Sequence, residues 1–175
     1  MKEQGPSIQD IIHIAAFAAL IAAGSILVIP LGPVPLTLQT MLVALAGLIL
    51  GPRNAVLAFL LYLLAGMLGM PVFAGGKAGL GVLFGPTGGY LFGFIIMAWI
   101  CGVAGRKKAL WLAAALLLLG LAAAHACGIA MLCFTLKRSL VQACAIDAVF
   151  LPGDLAKACM ALAIWRMLQK KNAHA

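Results

Sequence analysis

The feature that most constrains this chain is the near absence of charge from runs long enough to cross a bilayer. Between residues 8 and 29 the only charged side chain is Asp10. A spanning helix needs about 20 apolar residues. Across the whole sequence 65% of residues are hydrophobic and 9% are charged, whereas soluble domains carry about 25% charged residues. A soluble fold of 175 residues has no core large enough to hide so much apolar surface, but lipid solvates it. We therefore expect an all-α integral membrane protein, a single membrane domain over residues 1–175.

The apolar runs predict six spans, near residues 8–29, 36–50, 55–70, 88–103, 109–136 and 153–168. The second and third are short, and so tilt or recruit flanking residues. Pro30, Pro33 and Pro35 keep the first link from being a regular helix, because proline lacks the backbone donor. Residues 71–85 are glycine-rich, contain Lys77 and read as a loop able to fold back into the protein. The last apolar region is broken by Asp147 and by Pro152-Gly153-Asp154, so its final helix is expected to start near Asp154.

Six spans put both termini on one side. With the termini inside, Lys2, Arg53, Arg106, Lys107, Lys108, Arg166, Lys170 and Lys171 fall inside, and Lys77, Lys137 and Arg138 fall outside. Basic residues favour the cytoplasmic side, so this asymmetry predicts cytoplasmic termini. It also accounts for the net charge of +8 without nucleic-acid binding. No cleavable signal peptide is read, because the first apolar run is too long and no cleavage site follows it.

Small residues suit helix contacts in lipid, where close approach replaces the hydrophobic drive. Gly85, Gly89 and Gly93 make two small-xxx-small steps, and Gly47 and Gly51 make another. Ala15, Ala19 and Ala23 form a smooth stripe on the first helix, with Ala18 and Ala22 beside it. The stripe serves internal packing or a partner protein, and sequence does not choose between them.

Chemistry is confined to a few places. The five cysteines contain no CxxC pair and read as small apolar residues. His13, His125 and His174 share no motif, and His125 reads as a buried, hydrogen-bonded histidine. No metal site, catalytic triad or nucleophile–base set is visible. Nor is there a phosphate loop. The pattern ending at Lys77 needs glycine where Pro71 stands and Ser or Thr where Ala78 stands.

Three candidate sites remain. Asp154 and Lys157 share one helical face, and ionisable groups inside a membrane segment mark a ligand or ion path by default. The structural alternative is an N-cap at Asp154 with Lys157 snorkelling outward. The second site is the loop through Phe73, Gly75 and Gly76 together with Thr87 and Tyr90, where glycine lets backbone approach a ligand. Its structural alternative is a flexible connector. The third is Thr37, Gln39 and Thr40 at the mouth of a span, which bind a ligand or bond a neighbouring helix.

Five motifs then occur in order: Val34-Pro35-Leu36-Thr37-Leu38-Gln39-Thr40, Leu45-Ala46-Gly47-Leu48-Ile49-Leu50-Gly51-Pro52, Gly69-Met70-Pro71-Val72-Phe73-Ala74-Gly75-Gly76, Gly85-Pro86-Thr87-Gly88-Gly89-Tyr90-Leu91 and Leu151-Pro152-Gly153-Asp154-Leu155-Ala156-Lys157. Together they resemble the BioY family, the biotin-binding substrate (S) subunits of energy-coupling factor (ECF) transporters. Residues 109–138 carry little of the likeness.

The resemblance implies the ECF S-component fold, a multi-pass protein of a prokaryotic cell membrane, and a biotin pocket near the outer face. It implies a transmembrane coupling subunit (EcfT type) and two cytosolic ATPases as partners, with Ala15, Ala19 and Ala23 meeting the coupling subunit. It implies biotin as transported ligand, no cofactor, and no enzyme activity. Asp154 and Lys157 are then expected to contact biotin. Asp154 suits a ureido N–H, and Lys157 suits the ureido carbonyl or neutralises Asp154. Glycine-loop N–H groups suit other polar atoms, and Phe73 and Tyr90 suit the bicycle. Lys77 either binds the carboxylate or faces water. The competing expectations are an ECF subunit for another vitamin, such as thiamine, and a non-transport structural membrane protein.

Overall fold

Proline and glycine bound the short hairpin, the helix junction at Gly51-Pro52 and the loop before residue 88, while Ser7 and Ser139 cap the helices that follow them. The computed structural model describes residues 7–107 and 109–173. Lys2, Lys108 and His174 lie outside the described residues.

Helix α1 runs over Ile8–Ile26 and opens on a capping box, in which Ser7 and Asp10 satisfy each other's backbone donors. It stops short of residue 29, because Val28–Pro30 (β1) pairs with Pro35–Thr37 (β2) as an antiparallel hairpin around the proline turn. Gly32, at φ +107°, makes the turn in a conformation that side chains disfavour. The hairpin also moves the start of the second helix. Helix α2 is Gln39–Leu50, not 36–50, since residues 35–37 are extended.

Helix α3 is Pro52–Met67. It begins three residues before the expected 55, because only Gly51 breaks the chain and Pro52 occupies the first helical position, where no N–H is needed. The loop that follows contains a Phe73–Lys77 bridge and a single turn, α4, at Leu80–Leu83. Helices α5 (Gly88–Ala104) and α6 (Leu110–Leu136) match the expected fourth and fifth spans closely. The last region holds two helices, α7 (Leu140–Ala148) and α8 (Leu151–Ala173), bent by 52°.

Helix α5 is central and packs on α6, α2 and α3, while α1 covers α3 and α2, and α8 lies on α2. Glycine sets these distances. A Cβ at Gly93 would sit 2.6 Å from Ala124 Cα, and one at Gly47 would sit 2.5 Å from Cys101 Cβ. The α5–α6 and α2–α5 seams are therefore backbone-close, as small-residue packing in lipid requires. Gly85 lies before α5 and takes no part in this seam.

The outer surface is as apolar as the interior, with Leu64, Trp99, Leu119 and Phe134 all exposed. By length and apolarity α1 and α6 suffice to cross a membrane, and the bent α7–α8 pair makes a third candidate. Helix α2 has 12 residues, about 18 Å at 1.5 Å per residue, short of the roughly 30 Å hydrocarbon core. Helix length alone therefore does not give six spans.

Candidate functional site

The hairpin, the loop after α3, the facing ends of α2, α5 and α8, and the middle of α6 converge on one cavity. Its wall includes Val34, Leu36, Thr37, Gln39, Thr40, Phe73, Ala74, Thr87, Tyr90, Phe94, Leu121, His125, Phe150, Asp154 and Lys157. The lining is mostly apolar with a few convergent polar groups, the usual make-up of a small-molecule site. Its free volume is about 50 Å³, room for a few waters.

Asp154 and Lys157 are 6% and 5% exposed, so neither reaches out to a polar phase. The N-cap alternative fails on geometry. Helix α8 begins at Leu151, and the Asp154 N–H already donates to Phe150 O at 2.9 Å. Snorkelling fails too, since Lys157 Nζ points inward. It donates to Thr37 O at 2.7 Å and lies 2.5 Å from Asp154 Oδ1. That second contact is a charge pair without hydrogen-bond alignment, and Oδ1 has no aligned donor among the described residues.

Thr37 and Gln39 belong to the same wall. Gln39 N donates to Thr37 Oγ1 at 3.2 Å, and Gln39 Nε2 donates to the Tyr62 hydroxyl at 2.8 Å. Gln39 therefore has the interhelical partner that its burial demands, and also faces the cavity. Thr87 and Tyr90 line the wall from the start of α5. Phe73 is fully buried, edge-on to Tyr62 with ring centroids 5.6 Å apart, and its ring rests on Gly66. It forms part of the floor, but packing already fixes it.

Gly75 and Gly76 are not on the wall. Their positive φ values, +72° and +75°, make the tight turn. Their N–H groups donate to Ser25 O at 3.4 Å and Phe73 O at 2.8 Å, so those donors are used internally. Lys77 is exposed and off the wall. Ala15, Ala19 and Ala23 are exposed on the outside of α1, whereas Ala18 is buried.

Sequence reasoning missed one cluster. His125 Nδ1 lies 2.8 Å and 3.0 Å from the two oxygens of Asp147, and the Tyr90 hydroxyl donates to Asp147 Oδ1 at 2.6 Å. His125 Nε2 is 3.4 Å from Asp154 Oδ2. The cue was present: Asp147 and His125 are polar residues in apolar runs, which by default mean function. What sequence lacked was the fold that brings them together.

The loop and α1 are tied as well. The Ser25 hydroxyl, with one proton to give, lies within hydrogen-bond reach of both Val72 O and Ala22 O. Ser25→Ala is expected to loosen the loop that carries Phe73, read as faster amide exchange at residues 72–76 with α5 unchanged. Unchanged exchange there contradicts the tie.

Comparison with known proteins places these features in a family context. Residues 1–174 match the model of the BioY family. A relative described as biotin transporter BioY, from Thermotoga maritima, is 49% identical over 100 residues, 57% of this chain and 59% of the relative. The chain thus spans less than two thirds of that relative's length. Relatives with the same description from Rhizobium etli and Rhodobacter capsulatus extend further. They are 34% and 41% identical, covering 91% and 85% of this chain and 92% and 87% of their own. A crystal structure described as the S-component for biotin from an ECF-type ABC transporter superposes with a TM-score of 0.86 at 28% identity, over 93% of this chain and 92% of that one.

Proposed function

The chain belongs to the BioY family, and from that premise we propose that it is the membrane subunit that captures biotin for uptake, a transporter component rather than an enzyme. The observation that carries this is the inward-turned Asp154–Lys157 pair on an otherwise apolar cavity wall. Biotin combines an apolar bicycle with a polar ureido edge, and the wall offers a complement to each. The proposed contacts are Asp154 and Lys157 at the ureido edge, Thr37, Gln39 and Thr87 beside it, and Phe73 and Tyr90 against the bicycle. Gly75 and Gly76 shape the loop above. Biotin is the cargo, and no cofactor is invoked.

The six-span topology, as one membrane domain, is part of this proposal. The described basic residues Arg53, Arg106, Lys107, Lys170 and Lys171 sit at element ends away from the cavity, and Arg166 lies in the C-terminal half of α8. Lys77, Lys137 and Arg138 sit at the cavity end. The basic-inside tendency then supports cytoplasmic termini and a cavity that faces outward in a prokaryotic cell membrane.

Energy must come from elsewhere, since the sequence has no phosphate loop. We assign that role to a transmembrane coupling subunit of the EcfT type with two cytosolic ATPases. The exposed Ala15, Ala19 and Ala23 form the surface a second helix can approach closely. Cells expressing the full complex are expected to accumulate labelled biotin and ignore labelled thiamine. Ala19→Trp is expected to cut uptake and co-purification with the coupling subunit while biotin binding by the isolated chain persists. Assembly at the normal level in Ala19→Trp removes the stripe from the account, and thiamine uptake without biotin uptake removes the assignment.

A further inference from the structure

His125 has one nitrogen fully engaged and the other idle. Behind the ring, both Asp147 oxygens face Nδ1, and Tyr90 holds that carboxylate in place. A carboxylate accepts, so Nδ1 carries a ring proton, and in the singly protonated ring Nε2 is left as a lone-pair acceptor on the cavity wall. Nε2 is buried and has no hydrogen-bond partner among the described residues. Its nearest polar neighbour, Asp154 Oδ2, lies 3.4 Å away, a contact that pairs only with a doubly protonated ring. Asp154 Oδ1 likewise lacks an aligned donor. A histidine serving structure alone has both nitrogens satisfied, because unmade buried hydrogen bonds are expensive.

We propose that His125 is a ligand-contacting residue, whose Nε2 accepts an N–H of the bound molecule beside Asp154, with Asp147 and Tyr90 as the residues that position it. This rests on the biotin reading and deepens it. The ureido ring carries two N–H donors, and the wall presents two acceptor side chains, one on α6 and one on α8. Lys157, already donating to Thr37 O, is the donor left for the ureido carbonyl. The wall thus selects a ring with N–H on both sides of a carbonyl, and presents lone pairs to a ligand edge that has acceptors alone.

The test measures binding by the purified full chain in detergent. Labelled biotin and its two mono-N-methyl analogues are compared on the wild type, His125→Phe and His125→Gln. We expect His125→Phe to weaken biotin binding by about tenfold or more, the loss of one buried hydrogen bond. We expect one N-methyl analogue, which lacks the relevant donor, to bind wild type and His125→Phe alike. Glutamine supplies an acceptor oxygen, so His125→Gln recovers part of the loss and also controls for folding. A merely structural role lowers all three ligands equally, and that pattern overturns the inference, as does a His125→Phe variant that binds biotin normally. A wild type that ignores biotin takes down the biotin reading as well, so the two failures are distinguishable. In ¹⁵N-histidine spectra of the ligand-free chain, His125 should show a protonated Nδ1 and a bare Nε2. Asp147→Asn should redistribute that proton between the two nitrogens. A wild-type ring with its proton on Nε2 contradicts the proposal.

Discussion

Lys157→Met is expected to abolish measurable biotin binding and to lower the stability of the purified chain by about 3–5 kcal/mol, the usual penalty for breaking one side of a buried ion pair. The reason is geometric. Among the described residues Lys157 is the one lysine or arginine beside Asp154, 2.5 Å away, and Asp154 is 6% exposed. Removing the ammonium leaves a carboxylate in the apolar end of a helix bundle. Replacing both partners removes both charges, and well-packed apolar substitutes are then close to neutral. Asp154→Leu/Lys157→Met should therefore regain most of the lost thermal stability in detergent while still failing to bind biotin. That separation of folding from binding is the informative result. A double variant no more stable than Lys157→Met would show that the two charges do not stabilise each other.

The second large effect is expected at Gly93. A Cβ there meets Ala124 Cα at 2.6 Å and Ala124 O at 3.0 Å, and backbone cannot swing aside as a flexible side chain can. Gly93→Leu must push α5 and α6 apart. Overpacking of this kind costs about 1–3 kcal/mol, occasionally more. It also shifts the cavity wall, because Leu121 and His125 flank Ala124 on the displaced helix. Both the unfolding temperature and the biotin affinity should fall. Gly81, where an added Cβ meets nothing within 4 Å, is the matched control, and Gly81→Ala should change neither. Equal effects at the two positions would mean that the α5–α6 seam is not the close contact described.

These two predictions draw on different amounts of sequence information. Gly93 was legible, because its four-residue step from Gly89 announces a packing seam. Asp154 and Lys157 were legible because charge is so rare in the chain that each instance stands out. Apolar run length located α5 and α6 almost to the residue. It failed where short-range geometry competes with hydropathy. Val28 and Ile29 are as apolar as the helix before them, yet they pair with Thr37 and Leu36, because the intervening prolines and Gly32 make a turn. The same blindness hid α7. The break falls at residues 149–150, before Pro152, because a proline in the first turn of α8 needs no donor.

The site was half legible for a related reason. Residues close in sequence, such as Thr37 with Gln39 or Asp154 with Lys157, can be grouped by spacing. His125, Asp147 and Tyr90 come from three helices, and only the packing of α5, α6 and α7 shows that Asp147 bonds the other two. The glycine loop misled in the opposite direction. Gly75 and Gly76 have the freedom to offer N–H groups to a ligand, but Ser25 O and Phe73 O already take them. Backbone flexibility predicts where a turn can form, and the hydrogen-bond partners decide what the turn is for.

The proposed role of the cavity walled by Asp154, Lys157 and His125 is to hold biotin. Equilibrium binding of labelled biotin to the purified wild-type chain, with unlabelled thiamine as competitor, tests it most directly. The expected result is saturable binding at one site per chain, displaced by unlabelled biotin and unaffected by thiamine. Absence of saturable biotin binding, or its displacement by thiamine, would contradict it.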